Sequence, residues 1–96
     1  MQERNNLAES VVSARFAITK FRTGYDLNEV DDFLDTVVRQ LREEPHVDAI
    51  VNTISAATFR QTKWRDGYTI EQVDGFLAEL AGTLRARQDP DPGYSI

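Results

Sequence analysis

A segment of 27 residues occurs twice in this chain of 96 residues. Sliding the sequence against itself by 43 positions aligns residues 16–42 with residues 59–85 without a gap, and 12 of the 27 aligned positions are identical. Such a repeat is one supersecondary unit that need not bury its apolar face alone, because stacking two copies can complete a core. We therefore predict two units, residues 1–43 and 44–87, followed by a flexible C-terminal tail, residues 88–96.

Each copy carries the signals of a tight turn followed by a helix start. Gly24 and Gly67 suit a turn because glycine adopts positive φ without steric cost. A capping box follows, in which the first side chain accepts from an amide three residues on and the second reaches back, and the preceding tyrosine supplies a hydrophobic staple. The turn and cap residues are Gly24, Tyr25, Asp26 and Glu29 in the first copy and Gly67, Tyr68, Thr69 and Gln72 in the second.

Apolar residues then recur every three or four positions, which predicts an amphipathic helix in each copy. The apolar seam of this helix spans only about two heptads, so a compact bundle is favoured over a free-standing coiled coil. Shorter amphipathic segments precede each turn. The seam residues are Leu27, Val30, Leu34, Val37 and Leu41 in the first copy and Ile70, Val73, Leu77, Leu80 and Leu84 in the second.

These signals predict an all-α fold made of two helix-turn-helix units. Each unit would contain a short helix, a Gly-Tyr turn and a longer capped helix. The units would pack as a helical bundle with pseudo-two-fold symmetry, so that the two seams face one another. A homodimer, swapped or side by side, is the alternative arrangement.

Composition excludes several classes of function. The chain has no cysteine, and therefore no disulfide, no cysteine nucleophile and no cysteine zinc ligand. Its net charge of −5 opposes nucleic-acid binding, which relies on contacts from Lys and Arg to phosphates. No apolar run is long enough to span a bilayer, and the polar N-terminus lacks the apolar region of a signal peptide. We expect a cytoplasmic protein.

Paired carboxylates are the one feature that suggests catalysis. Asp31 and Asp35 lie one helical turn apart, with Asp32 beside them. The second copy has alanine and glycine opposite Asp35 and Asp32, which indicates a solvated helix face, whereas Asp31 recurs as Asp74 and is explained by the helix dipole or a salt bridge. No phosphate-binding loop, nucleophile–base arrangement or metal-ligand spacing is present, so we expect no enzyme, cofactor, metal or small-molecule substrate.

An aromatic residue flanked by basic residues precedes each Gly-Tyr pair. The segments TKFRTGY and TKWRDGY carry net charges of +2 and +1 within an acidic chain. Aromatic rings favour the headgroup region of a bilayer, and basic residues are attracted to anionic lipid. Alternatively, the rings lie in the core and the basic side chains cover them with their alkyl stems. The candidate membrane- or partner-binding residues are Lys20, Phe21, Arg22, Lys63, Trp64 and Arg65.

The repeated segments, FRTGYDLNEVDDFL and WRDGYTIEQVDGFL, resemble the DivIVA domain of Gram-positive bacteria through the shared pattern Gly-Tyr-x₄-Val-Asp-x-Phe-Leu. The resemblance implies a scaffold or adaptor of cell division or of septal and polar growth. Such a protein lies at the inner face of the membrane, pairs with itself and recruits division or growth proteins. It also implies that Phe21 and Trp64 enter lipid, with Arg22 and Arg65 beside them.

Two features depart from the family pattern. One additional residue, Thr23 or Asp66, separates the arginine from the glycine, and this sequence lacks the long parallel coiled coil through which family members assemble. The chain therefore resembles a tandem-repeat relative, in which two units on one chain imitate the usual dimer. The alternative function is a soluble protein-interaction or dimerisation module with no membrane contact.

Overall fold

A computed structural model, which describes residues 2–88, contains four helices and two pairs of short strands. The predicted tail, residues 88–96, lies outside the described residues apart from Gln88, where the last helix ends. In chain order the elements are α1 (Gln2–Ser13), β1 (Ile18–Thr19), β2 (Gly24–Tyr25), α2 (Leu27–Glu43), α3 (Val47–Ser55), β3 (Gln61–Thr62), β4 (Gly67–Thr69) and α4 (Ile70–Gln88).

Helix α2 begins at a side-chain cap and ends ahead of a proline. The carboxylate of Asp26 accepts a hydrogen bond from the backbone N–H of Glu29 at 3.0 Å, which satisfies one of the free amides at the helix start. At the other end Glu44 is extended, as the residue before a proline prefers to be. The chain then turns directly into α3.

Arg4 of α1 forms hydrogen bonds with the C-terminal end of α2. The Arg4 guanidinium donates from Nε and Nη2 to three carbonyl oxygens at the end of the helix, one of which, Gln40 O, also accepts from the backbone N–H of Glu44. Position 47, the equivalent in the second repeat, carries Val47, which packs against the core instead. The carbonyl oxygens that accept from Arg4 belong to Gln40, Leu41 and Glu44.

The helices share one hydrophobic core. Helix α1 packs on α2 and α3 packs on α4, so the closest helix pairs form within a unit rather than between the two seams. Eight of the ten seam residues are buried, while Leu27 and Ile70 at the helix starts are partly buried. Burial of each aliphatic side chain contributes about 1.5–3 kcal/mol. The remaining buried hydrophobic residues are Ala8, Val11, Ile50, Val51, Ile54 and Ala81.

A four-stranded antiparallel sheet lies at the end of the molecule where α1 and α3 end and α2 and α4 begin. The strand order is β1-β4-β2-β3, so the first strand of each unit pairs with the second strand of the other unit. In the central pair, β2 and β4, Tyr25 lies opposite Tyr68. The part of the chain that the structure describes is elongated, with extents of 55 × 23 × 19 Å.

The all-α prediction is wrong because the segments interpreted as turns pair as strands. Gly24 and Gly67 lie in the two central strands, and the true turns lie upstream, at residues 20–23 and 63–66. Strands of two or three residues leave no alternating pattern in the sequence, and each has its partner in the other repeat. The sequence therefore predicts the helices that follow the strands but not the strands themselves.

The reason given for the two glycines is also wrong. Among the described residues no glycine has a positive φ. The requirement is space, because a Cβ on Gly24 would lie 2.8 Å from the backbone oxygen of Tyr68, and a Cβ on Gly67 would lie 3.0 Å from the backbone oxygen of Tyr25. Glycine therefore allows the two central strands to approach each other closely.

Candidate functional site

Two loops meet at the outer end of the sheet and form what we call the tip, residues 20–23 and 63–66. The first loop joins β1 to β2, and the second joins β3 to β4. The exchange of strands between units holds the loops together, and the backbone N–H of Trp64 donates to the carbonyl oxygen of Lys20 at 2.8 Å. The tip is therefore one surface built from both repeats.

The aromatic residues of the tip face outward. Phe21 is 71% exposed and Trp64 is 68% exposed, so neither ring lies in the core, which was the alternative left open by the sequence. Their ring centroids are 6.2 Å apart at an interplanar angle of 68°, an edge-to-face contact. The two rings together form a single apolar projection beyond the sheet.

The second loop carries backbone strain that the first does not. Among the described residues, Trp64 is the only non-glycine residue with positive φ, at 71°. A left-handed conformation costs a side-chain-bearing residue roughly 1–2 kcal/mol. The cost is offset in part by the hydrogen bond to Lys20 and by the contact with Phe21, so the position of Trp64 depends on the first repeat.

Positive charge surrounds the aromatic pair. Lys20, Arg22, Lys63 and Arg65 are all exposed, and the Lys63 ammonium lies 5.2 Å from the centroid of the Trp64 ring, within cation–π range. Asp66 is the acidic residue of the tip and is exposed as well. The tip is thus locally cationic in a chain whose net charge is −5.

Two tyrosine–aspartate bonds cross between the units below the tip. The Tyr25 hydroxyl donates to Asp74 Oδ1 and the Tyr68 hydroxyl donates to Asp31 Oδ1, each at 2.8 Å. In the sequence, the signal for these bonds is that the tyrosine and the aspartate both recur 43 residues later. The sequence predicts the helix dipole or a salt bridge as the role of Asp31 and Asp74. The structure instead pairs each aspartate with a tyrosine of the other repeat.

Burial and the nearby carboxylate raise the pKa of both tyrosines. Desolvation, then the hydrogen bond and charge of Asp74, raise the pKa of Tyr25 from 10.0 to about 12. The pKa of Tyr68 is raised for the same reasons, with Asp31 as partner, while the positive charge of Arg15 opposes the shift. Both phenols therefore stay protonated and donate their hydrogen bonds at neutral pH.

The second residue of each predicted capping box accepts a hydrogen bond from the backbone of the other repeat. Glu29 Oε1 accepts from the backbone N–H of Arg60 at 2.6 Å, and Gln72 Oε1 accepts from that of Ala17 at 2.7 Å. Arg60 and Ala17 are equivalent positions in the two copies. The backbone N–H of Thr69 and its hydroxyl both donate to Ala17 O, so these cap residues also hold the strand crossing together.

Phenylalanines that precede the strands pack into the opposite unit. Phe16 lies edge-on to Tyr68, with ring centroids 5.5 Å apart, and Phe59 tilts against Tyr25 at 5.1 Å. Each also meets a phenylalanine from the long helix of the other repeat. The sequence marked these residues only as identical positions, because their contacts depend on the exchange of strands.

The exposed groups of the tip can bind other surfaces. Within residues 2–88 no three side chains of His, Asp or Glu come together to hold a metal ion. In the same part of the chain, no helix combines the length and the hydropathy needed to cross a bilayer. The exposed groups of the tip are aromatic rings, ammonium and guanidinium groups, which bind anionic or amphipathic surfaces.

Comparison of the chain with protein-family models, with curated proteins and with solved structures gives no match. These comparisons do not identify a DivIVA domain. The resemblance rests on the two repeated motifs alone.

Proposed function

We propose that this protein is a non-catalytic scaffold or adaptor that binds anionic membrane surfaces through the tip. The exposed contact between Phe21 and Trp64 is the observation that supports this function. Within the part of the chain that the structure describes, these two large apolar side chains remain mostly uncovered. An exposed apolar patch with a basic border is typical of an interaction site.

Energetic considerations favour a combined mode of attachment. Aromatic rings partition into the headgroup region, and each basic residue near anionic lipid contributes about 1 kcal/mol. One such signal gives marginal attachment, whereas an apolar insertion combined with a basic patch gives stable attachment. The tip supplies both signals on one rigid surface, because the strand exchange fixes the two loops together.

The cellular role that we propose follows from the resemblance to the DivIVA domain. The protein would lie at the inner face of the membrane at a septum or pole and recruit division or growth proteins. A fluorescent fusion expressed in a rod-shaped Gram-positive bacterium should collect at septa or poles, and the Phe21→Ser/Trp64→Ser variant should be diffuse. Diffuse wild type would contradict this role.

Membrane binding has a direct spectroscopic test, because Trp64 is the single tryptophan of the chain. With vesicles of anionic lipid, the wild type should pellet and its tryptophan emission should shift to the blue, while vesicles of neutral lipid should give a smaller effect. Phe21→Ser/Trp64→Ser should no longer pellet. Its circular dichroism should match the wild type, since both side chains are exposed.

A charge-matched pair of variants separates the tip from general electrostatics. Lys20→Gln/Arg22→Gln removes two charges from the tip, and Arg39→Gln/Arg85→Gln removes two exposed charges from the helices. Only the first pair should weaken binding to anionic vesicles. Equal weakening by both pairs, or absence of pelleting by the wild type, would reject the membrane proposal in favour of a soluble protein-interaction module.

A further inference from the structure

Two grooves lie at equivalent positions, one in each repeat. The first, of about 580 Å³, lies between α1 and the start of α2, and the second, of about 320 Å³, lies between α3 and the start of α4. Each is lined by the aspartate that accepts from a tyrosine hydroxyl, Asp31 in the first and Asp74 in the second. The second groove therefore serves as an internal reference for the first.

The rim of the first groove is apolar where that of the second is polar. Val12 and Ile18 are 53% and 51% exposed, and with the two aromatics of the tip they are the large hydrophobic side chains exposed among the described residues. The equivalent positions of the second repeat carry Ser55 and Gln61, both exposed. Polar residues occupy these positions in the second repeat, so folding does not require the exposed Val and Ile. Their presence in the first repeat indicates an interaction surface.

The same rim carries charges of both signs. Arg15, on the α1 side, donates from Nη1 to two carbonyl oxygens at the end of α1, at 3.1 and 2.8 Å, which fixes its guanidinium beside the groove. Asp35 lines the groove from the α2 side. The equivalent positions in the second repeat carry Thr58 and Ala78. The two charged residues, like the exposed Val and Ile, are therefore found at the first groove and not at the second.

We infer that the first groove is a homotypic interface that binds the same groove of a second copy of this chain. A surface with a cation on one side and a carboxylate on the other is complementary to itself under a two-fold rotation. Arg15 of each copy then faces Asp35 of the other, and both pairs form together. Val12 on the outer face of α1 provides the ridge that enters a groove between helices.

A second copy matches this rim better than a basic peptide does, because a purely cationic segment would meet Arg15. The interface also lies apart from the tip, since the groove is lined by α1, by residues between positions 14 and 18, by α2 and by Tyr68, and by none of residues 20–23 and 63–66. Pairing of two copies and membrane binding are therefore separate properties, and either one can fail without the other.

Sedimentation velocity of the full chain, from micromolar to millimolar concentration, tests the apolar part of the interface. The wild type should move from 10.9 kDa towards twice that mass. Val12→Ser/Ile18→Gln, which installs the residues of the second groove, should raise the dissociation constant about tenfold or more. Phe21→Ser/Trp64→Ser should dimerise like the wild type, because the tip lies outside the interface.

Charge exchange tests the orientation of the two copies. Arg15→Asp and Asp35→Arg should each weaken dimerisation, and the double variant Arg15→Asp/Asp35→Arg should restore it, because the pairs re-form with reversed sign. Circular dichroism would establish that each variant is folded before its mass is compared.

Three results would overturn the homotypic interface. The first is a wild type that stays monomeric at millimolar concentration. The second is dimerisation that the tip variant abolishes and Val12→Ser/Ile18→Gln leaves unchanged. The third is a failure of the folded double charge variant to recover dimerisation. A monomeric wild type whose groove amides shift with a basic amphipathic peptide would assign the groove to another partner.

Discussion

The two repeats are built on the same crossing contacts but present different outer surfaces. Where they touch, each tyrosine donates to the aspartate of the other copy at the same 2.8 Å, and Glu29 and Gln72 each accept from an equivalent backbone amide. Where they face outward, Val12 corresponds to Ser55 and Thr23 to Asp66. Contacts between copies constrain both sequences, because a change on one side removes a hydrogen bond from its partner on the other, whereas outer positions carry no such constraint.

The largest expected effect tests whether the two repeats contribute equally to the core. Leu41 and Leu84 are equivalent and are 1% and 2% exposed. Leu41→Ala and Leu84→Ala should each lower the free energy of unfolding by about 3 kcal/mol, because each leaves a cavity in the same core. Urea denaturation followed by circular dichroism should give one cooperative transition for both variants. Two separate transitions would show that the repeats fold independently.

A smaller effect is expected from closing the space between the central strands. Gly24→Ala should destabilise the fold by about 2–3 kcal/mol, because its Cβ would lie 2.8 Å from the backbone oxygen of Tyr68, which cannot move without displacing β4. Gly75→Ala is the matched control, since no atom lies within 4 Å of its Cβ. That control should stabilise α4 by about 0.5–1 kcal/mol. Equal effects of both changes in urea denaturation would argue against the close approach of the strands.

The crossing hydrogen bonds should be equivalent in strength. Tyr25→Phe and Tyr68→Phe should each cost about 1 kcal/mol in urea denaturation at neutral pH, since each removes one hydrogen bond between units. A cost confined to one variant would show that the crossing is asymmetric.

The same bonds predict a loss of stability in alkali. The folded state raises the pKa of Tyr25 from 10.0 to about 12, so folding favours the neutral phenol. This contribution to stability is fully present below pH 10.0 and is lost as the pH rises towards about 12. Denaturation across that range should show a shallower decline for Tyr25→Phe than for the wild type, and an identical decline would contradict the assignment.

The smallest effect concerns the one charged difference between the loops of the tip. Asp66→Thr should strengthen binding to anionic vesicles several-fold, and Thr23→Asp should weaken it by a similar factor, because one charge near anionic lipid contributes about 1 kcal/mol. Both residues are exposed, so thermal unfolding should be unchanged in either variant. Vesicle sedimentation measures both effects. Equal binding of the two variants and the wild type would contradict contact between the tip and lipid.

Several local features follow from nearby residues and were accessible from the sequence. The spacing of the seam corresponds to buried positions such as Val30 and Val73, both fully buried, because one face of a helix repeats every three or four residues. Asp26 caps α2 because its side chain reaches an amide three residues on. The aromatic and basic character of residues 20–22 and 63–65 is also read directly from the chain.

The candidate site itself was only partly predictable. The sequence left open whether Phe21 and Trp64 are buried, because the same apolar and basic composition serves a core or a surface. Their exposure depends on where the loops lie, and the loops are placed by strands that pair only between repeats. The first groove likewise depends on the exchange of strands, because Tyr68 of the second unit lines it.

The sequence by itself determined that the chain is a duplication, where its long helices begin, which of their faces are apolar, and that aromatic and basic residues stand together twice. Only the tertiary structure decided that the Gly-Tyr segments are strands, that these strands exchange between repeats, and that two loops become one exposed tip. The physical reason is that helix signals are local, since a helix satisfies its hydrogen bonds within a few residues. Strands as short as these are stabilised by partners in the other repeat, and the sequence around each strand carries no record of that partner.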